Sequence, residues 1–542
     1  MRIFGRNIGL GGGGLWLAVV LFLLTRGLTL TSFPIFNDEA IYLQYSQLIH
    51  DDWQKNQFIS MNGQFQDWKP PLQYWITAPV IRWGTDPLVT GRIVASLVSL
   101  LGLFGFYLFA RELFSQKEAV LAALLYVFCP PVLLHNNQFT AETFLFSTAP
   151  FCYWALLQSM RRPPRWNLGW IVLAVVLGTA LLLFKQSGTL LLIMAMALPF
   201  AKIRRKDSES DMSPDTDQKS GPGAHWDWKG FGVNLSIAAA VILCAYLVAR
   251  LIIPSEFNAA KDRFNSHWVM SLSEIIQFPI ATWRGNVHVA TEYIDSYYSW
   301  GIGIFFLGFL WLAIRQRNPT ELVLAAMCLG SAAVIVFGLR GFNEYLLNTA
   351  VIVVLLPMLA RTGVRIWHLK RDGKEGLVRR GTLALAGVVL IFWVYQLILI
   401  GVSPGKYIER STDWAVANYL KGWPTGFGIK EVVAILGEEK KPGVVFTDTQ
   451  WGNPTTALEV YAKDRFPNLR LVPISREFLD PAETRTLKEA ARKLGQVRYV
   501  ICSADTSDGR GEWLVNVERE MCETRTLVEA YPGQMPIIIC RF

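Results

Sequence analysis

The stretch "GLWLAVVLFLLTRGLTLTSFPIFNDEAIYLQYSQLI" (14–49) joins two kinds of sequence. Its first half is apolar and long enough to cross a bilayer. No small-residue cleavage site follows, so it reads as a retained span rather than a removed signal peptide. Its second half is an amphipathic helix that opens on two adjacent acids, Asp38 and Glu39. A chain that has just crossed a membrane thus places a pair of carboxylates at the water–lipid boundary.

The rest of the chain repeats the first half of that pattern. It has 542 residues, 52% of them hydrophobic, and a mean hydropathy of +0.29. Apolar runs recur at roughly 9–30, 87–110, 118–135, 141–160, 167–184, 187–201, 231–253, 298–315, 320–338, 344–360 and 381–401. With the N-terminus inside, the loops "ARELFSQKE", "MRRPPRW", "KIRRK", "IRQRNP" and "ARTGVRIWHLKRDGKEGLVRRG" all fall on the cytoplasmic side. They carry most of the loop arginines and lysines, as the positive-inside rule requires. That placement accounts for the formal charge of +9 and excludes a nucleic-acid reading. The expected fold is a polytopic α-helical membrane protein of about eleven transmembrane helices, residues 1–401, with outer loops at 31–86 and 254–297. An odd number of spans puts the tail, 402–542, on the outer face. There, short strand-like runs ("GVVFTD", "LRLVPI", "VRYVICS", "MPIIICRF") alternate with helical ones, the pattern of a small soluble α/β domain. The polar, Pro/Gly/Ser-rich segment 207–228 reads as a disordered cytoplasmic linker. Cys129, Cys152, Cys244 and Cys328 lie in apolar runs as packing residues. Cys502, Cys522 and Cys540 lie in the tail, where one disulfide is possible but nothing demands it.

On a helix over 38–50, Asp38 lines up with Tyr42, Tyr45 and Ile49, the stripe expected to pack inward, while Glu39 points away. Asn37 or Asp38 also fits a simple N-cap. In "DWKPPLQYWI" (67–76), Pro70 holds Lys69 extended at a helix entrance on the same outer loop. A cation fixed there suits a lipid phosphate; a lysine snorkelling to the interface is the plain alternative. "LLHNNQFTAETFLF" (133–146) puts His135 and Glu142 at the mouth of a span, where Glu142 also suits the helix dipole. Lys185, in "FKQSG", sits on an outer turn. The tail has no Gly-rich phosphate fingerprint.

The succession "FNDEAIYL", "KPPLQYW", "GRIVASLVSLLGLFGFYLFAREL" and "HNNQFTAETF" resembles the membrane glycosyltransferases of the GT-C fold, in particular the protein mannosyltransferases and the bacterial lipid A aminoarabinose transferases. The likeness covers about 31–200 and returns at "RGFNEYLLNTAVIVVLLP" (340–357), although Asn348 stands where proline is usual and Glu344 where arginine is usual. The resemblance implies inverting transfer of a sugar from a polyprenyl phosphate to a hydroxyl of a lipid, glycan or protein, at the outer face of the inner (plasma) membrane. Asp38 would then be the general base, with Glu39 in support and Glu142 beside it. Lys69, Arg340 and Lys185 would meet the donor phosphate, and Tyr42, Tyr45, His135 and Tyr345 would line the site. No cofactor or metal is required on this reading, and a divalent ion on Asp38 or Glu142 is compatible with it. A transporter of lipid-linked sugars would show repeats and polar residues deep in its spans, which are not evident here. A polysaccharide polymerase or ligase using the same donor class stays open.

Overall fold

The computed structural model describes residues 2–542 apart from 4–5, 8–11, 60–68, 85, 162–166, 202–227, 370–372, 423, 449–451, 475–480, 495–496, 505–514 and 516–517. The expected linker therefore lies outside the described residues except for Trp228, which opens the helix Trp228–Ile252.

A helix stands in every stretch read as a span. Among the described residues, five are long and apolar enough to cross a membrane, or up to seven if each bent pair counts as one span; Gly13–Thr29, Leu168–Phe184 and Gly188–Phe200 are shorter apolar helices. The first helix shows how one sequence serves two environments. Leu15, Ala18, Val19, Phe22, Thr25, Arg26 and Thr29 form the buried stripe, and Trp16, Leu17, Val20, Leu23, Leu24 and Leu28 form an exposed apolar one. Only lipid satisfies the second stripe. Next to it, Pro87–Leu113 starts on Asp86, whose Oδ1 accepts from Leu88 N–H at 2.9 Å. This helix packs closely on Ala141–Arg161, because Gly102 and Gly105 face Ser147 and Phe151 without a Cβ.

Two pairs of successive apolar helices are sharply bent. Gln116–Phe128 and Pro130–Asn136 meet at 59°, and the pair Ile280–Tyr298 and Trp300–Gln316 at 102°. The first break follows from Pro131, which lacks the N–H that would serve the Val127 carbonyl. Arg26 donates to that carbonyl instead, at 2.6 Å. Away from that break, Arg361 bridges Glu118 and Glu321, and Arg365 donates to Glu321 at 2.8 Å, tying three helices together at one end of the bundle.

The tail holds a five-stranded sheet in the order Leu469–Pro473, Gly443–Thr447, Val497–Ser503, Ile537–Arg541, Thr524–Val528. The first three strands run parallel and the last two antiparallel to their neighbours. Gly443–Thr447 is buried throughout, as befits a strand covered on both faces. The four strand-like runs are all strands; Thr524–Val528 is a fifth that the alternation did not mark. One of the alternating helical runs is "GEWLVNVEREM" (511–521), and most of it lies outside the described residues. Cys522 and Cys540 form a disulfide, and Cys502 is buried in the sheet.

This domain is seated on the membrane module by the helix Thr455–Arg465, which lies against Asn37–Asp51. Gln47 Nε2 donates to the Val460 carbonyl at 3.0 Å, and Gln44 bonds Glu459.

Candidate active site

The helix Asn37–Asp51 carries the acid pair, and its surroundings reverse the expectation from periodicity. Glu39, expected to point away, is 0% exposed, whereas the Asp38 side chain is 33% exposed. The helix is wedged between the spans and the tail, so it is buried on most sides and no single stripe faces inward. Its first turn is oriented by Arg92. The Arg92 guanidinium grips Glu39 in two parallel hydrogen bonds of 2.8 Å and also donates to the carbonyls of Leu30, Phe33 and Pro34. Glu39 further accepts from Phe139 N–H at 2.8 Å and reaches back to Phe36 N–H at 3.3 Å. The helix cap is thus Phe36, with Glu39 closing it. Neither Asn37 nor Asp38 caps it, which corrects the N-cap reading.

Asp38 is left facing the other way. Lys69 Nζ lies 3.8 Å from Asp38 Oδ1, and Tyr42 O–H donates to Oδ2 at 3.5 Å. Lys69 donates to the Tyr42 hydroxyl at 3.3 Å and sits 4.8 Å from the centre of its ring. Tyr74 packs against both Tyr42 and Tyr45, so this corner is walled by three tyrosines. The contacts to Asp38 are long for hydrogen bonds. This carboxylate is held near Lys69 and is accessible.

A second acid–lysine pair stands nearby. Glu142, 3% exposed, is bonded to Lys185, and Lys185 lies 5.4 Å from the centre of the Tyr345 ring. His135 packs against the same ring at 5.7 Å. Tyr298 O–H donates to Asn348 Oδ1, which turns the Asn348 amide nitrogen towards His135 Nε2 at 3.0 Å. The imidazole proton then belongs on Nδ1, which has no hydrogen-bond partner among the described residues. Asn348, standing where proline is usual, thus fixes the state of a buried histidine.

The two pairs converge on a residue from the tail. Tyr419 O–H meets the Tyr345 hydroxyl at 2.8 Å, and its ring lies 4.3 Å from that of Phe36. Burial pushes the Tyr419 phenol well above its ordinary range, and the negative charges of Glu344, Asp38 and Glu142 push it the same way. Glu344 itself is buried, with Thr412 Oγ1 at 3.4 Å from its carboxylate.

Arg340, expected at the donor phosphate, is paired with Glu274. It donates to Glu274 from Nε at 3.0 Å and from Nη2 at 2.8 Å. Its hydrogen bonds and those from Ser271 hold the exposed Glu274 carboxyl down at about 2. Among the described residues, no three His, Cys, Asp or Glu side chains gather as a metal site.

Sequence reasoning missed Arg92, Tyr419 and Asn348 as members of this constellation. Arg92 had a signal, a charge inside an apolar run. Tyr419 had none, since nothing local marks a tail residue that folds back over the bundle.

Residues 68–211 match the family described as dolichyl-phosphate-mannose-protein mannosyltransferase. The matched part contains Lys69, Glu142 and Lys185 and stops short of Asp38. No curated protein matches the chain at significant similarity. Among solved structures, the chain is similar to ArnT from Cupriavidus metallidurans bound to undecaprenyl phosphate, at 13% identity and a TM-score of 0.52, over 97% of each chain. It is similar also to the oligosaccharyltransferase of Archaeoglobus fulgidus in its apo form, at 12% identity and a TM-score of 0.50, over 99% of this chain and 76% of that one. The chain is a multi-pass membrane protein with the GT-C glycosyltransferase fold, and part of it matches a glycosyltransferase family.

Proposed function

We propose that this protein is an inverting glycosyltransferase that moves a hexose or pentose from a polyprenyl phosphate to a hydroxyl acceptor at the outer face of the plasma membrane. The observation that carries the reading is the Asp38–Lys69 pair, an accessible carboxylate 3.8 Å from a lysine beside a second acid–lysine pair. The topology that goes with it has the N-terminus inside and the tail outside. That places the pair where a lipid-tethered sugar meets an acceptor arriving from water or from the same leaflet.

In the reaction, the acceptor oxygen attacks the anomeric carbon while Asp38 takes its proton. The bond from the anomeric carbon to the phosphate oxygen breaks, and polyprenyl phosphate leaves with the electron pair. A single displacement of this kind inverts the anomeric centre. Lys69 and Lys185 are placed to meet the charge that grows on the leaving phosphate. Glu142 holds Lys185 in position, and Tyr42, Tyr45 and His135 line the site. ArnT from Cupriavidus metallidurans, which shares the fold, binds undecaprenyl phosphate, and this supports the donor class.

The test is direct. Purified protein is incubated with radiolabelled undecaprenyl-phosphate-linked hexoses and pentoses, and release of undecaprenyl phosphate is followed. Release that needs both a hydroxyl acceptor and Asp38 supports the reading. Transport of an intact lipid-linked sugar without release sinks it.

A further inference from the structure

The parallel strands of the tail carry a switch point. The chain leaves Gly443–Thr447 for Leu469–Pro473 on one side and then crosses to Val497–Ser503 on the other. In open α/β sheets, the crevice beyond the carboxyl ends at such a point is where ligands bind. Here Asn453, farther along the chain past Thr447, meets the membrane module's own first outer loop. Asn453 N–H donates to Asn37 Oδ1 at 2.9 Å. The Asn453 side-chain amide donates to the carbonyls of Ile35 at 3.2 Å, Pro424 at 3.0 Å and Thr425 at 3.0 Å. Asn453 is 1% exposed, so these bonds are made away from water. Gly426 lies against the same loop, and a Cβ there would collide with the Ile35 carbonyl.

Asn453 thus holds both sides of the entry to the helix that bears Asp38, Ile35 before it and Asn37 at its first residue. We infer that Asn453 is a positioning residue for the catalytic base and that the C-terminal domain is a working part of the active site. The inference rests on Asp38 being the base, as proposed above. Arg92 fixes Glu39 from the membrane side, and Asn453 fixes Asn37 from the tail side. Asp38 is the residue between them, and the clamp sets its direction towards Lys69. Loss of the clamp lets the first turn move, which misplaces the carboxylate but leaves Lys69 and Lys185 where they meet phosphate. Small displacements of a catalytic group cost rate far more than binding.

The experiment uses the full chain in detergent or nanodiscs, with Asn453→Ala, Gly426→Ala and Asp38→Asn compared with wild type. Turnover is measured with the undecaprenyl-phosphate-linked sugar that wild type uses fastest, and binding with undecaprenyl phosphate alone. Hydrogen exchange is read on peptides covering 33–43 and, as a control for global unfolding, 443–447. Both clamp variants should lower kcat at least about tenfold with undecaprenyl phosphate affinity kept within about twofold. Exchange should rise in 33–43 and not in 443–447. A strong loss in Asp38→Asn combined with wild-type kcat in both clamp variants would overturn the positioning role while leaving the base in place. A silent Asp38→Asn overturns the base reading and this inference with it. Increased exchange in 443–447 at the same level as in 33–43 would mark Asn453 as a stabiliser of the tail alone, and also overturns the inference.

Discussion

Asp38 and Glu39 are joined by one peptide bond and carry the same charge, yet Glu39 is sealed from water by four hydrogen bonds while Asp38 stands one-third exposed with Lys69 at 3.8 Å. The difference separates two uses of a carboxylate. Every acceptor position that Glu39 can offer in its pocket is taken by Arg92, Phe139 and Phe36, so it has nothing left for a substrate. Asp38 stands near a cation with only long contacts to its carboxylate and retains acceptor capacity. A buried carboxylate with complete partners organises a fold; a partly exposed one with only long contacts is available for proton transfer.

The contrast is broken most severely at Glu39. Glu39→Gln strands the Arg92 charge in the interior and should destabilise the protein by about 3–5 kcal/mol, the usual result of removing one member of a buried pair. Thermal unfolding in detergent reads this. Replacing both with apolar residues should recover part of the loss, but not all, because Phe139 N–H would be left without its acceptor. A Glu39→Gln protein of wild-type stability would remove the distinction drawn here.

Lys69→Ala comes next and tests the other side. A charge-assisted contact to phosphate is worth about 1.5–3 kcal/mol, so undecaprenyl phosphate affinity and turnover should both fall by roughly tenfold to a hundredfold. Stability should change little, since Lys69 is partly exposed. Unchanged affinity and rate would leave Lys69 as a lysine that merely reaches for the interface.

How much of this was legible depended on how local the cause is. Membrane spans are written in runs of apolar residues, and the helices fall where those runs lie. The Lys-Pro-Pro corner and the Asp-Glu pair were also visible, because each is a short stretch with a stated conformational consequence. The exposure of Asp38 and Glu39 was not, because a helical wheel assumes one buried face and Asn37–Asp51 is packed between the spans and the tail. The choice between the two acids is made by Arg92, more than fifty residues away, and the closure of the site by Tyr419 and Asn453, much farther still. Such partners leave no periodic trace in their own neighbourhoods.

The seating of the tail predicts a pH effect of intermediate size. Burial against Asn37–Asp51 lifts the Glu459 carboxyl from 4.5 to about 7, only partly offset by the hydrogen bond from Gln44. A raised carboxyl favours the folded state when protonated. Its contribution to docking is therefore complete below about 4.5 and is lost as pH rises through about 7. Hydrogen exchange of 455–465 should increase from pH 5 to pH 8 after correction for intrinsic exchange rates, and Glu459→Gln should flatten that dependence. A profile that is flat in the wild type would contradict the seating described.

The smallest effect is expected at Glu274, whose pair with Arg340 is exposed on both sides. Glu274→Gln should leave the unfolding temperature unchanged within error, in contrast to Glu39→Gln. A loss comparable to that at Glu39 would mean that exposure does not sort these pairs.

The central claim is that the exposed acid does the chemistry, and Asp38→Asn tests it most directly. The substitution is nearly isosteric, and in the structure the Asp38 carboxylate caps no helix, so the amide disturbs little besides the charge and the capacity to accept a proton. Steady-state turnover of a lipid-linked sugar is measured alongside undecaprenyl phosphate binding and the unfolding temperature. The account predicts a rate lower by at least about a hundredfold, with binding and stability close to wild type. A rate within a few-fold of wild type would contradict it and move the base to Glu142.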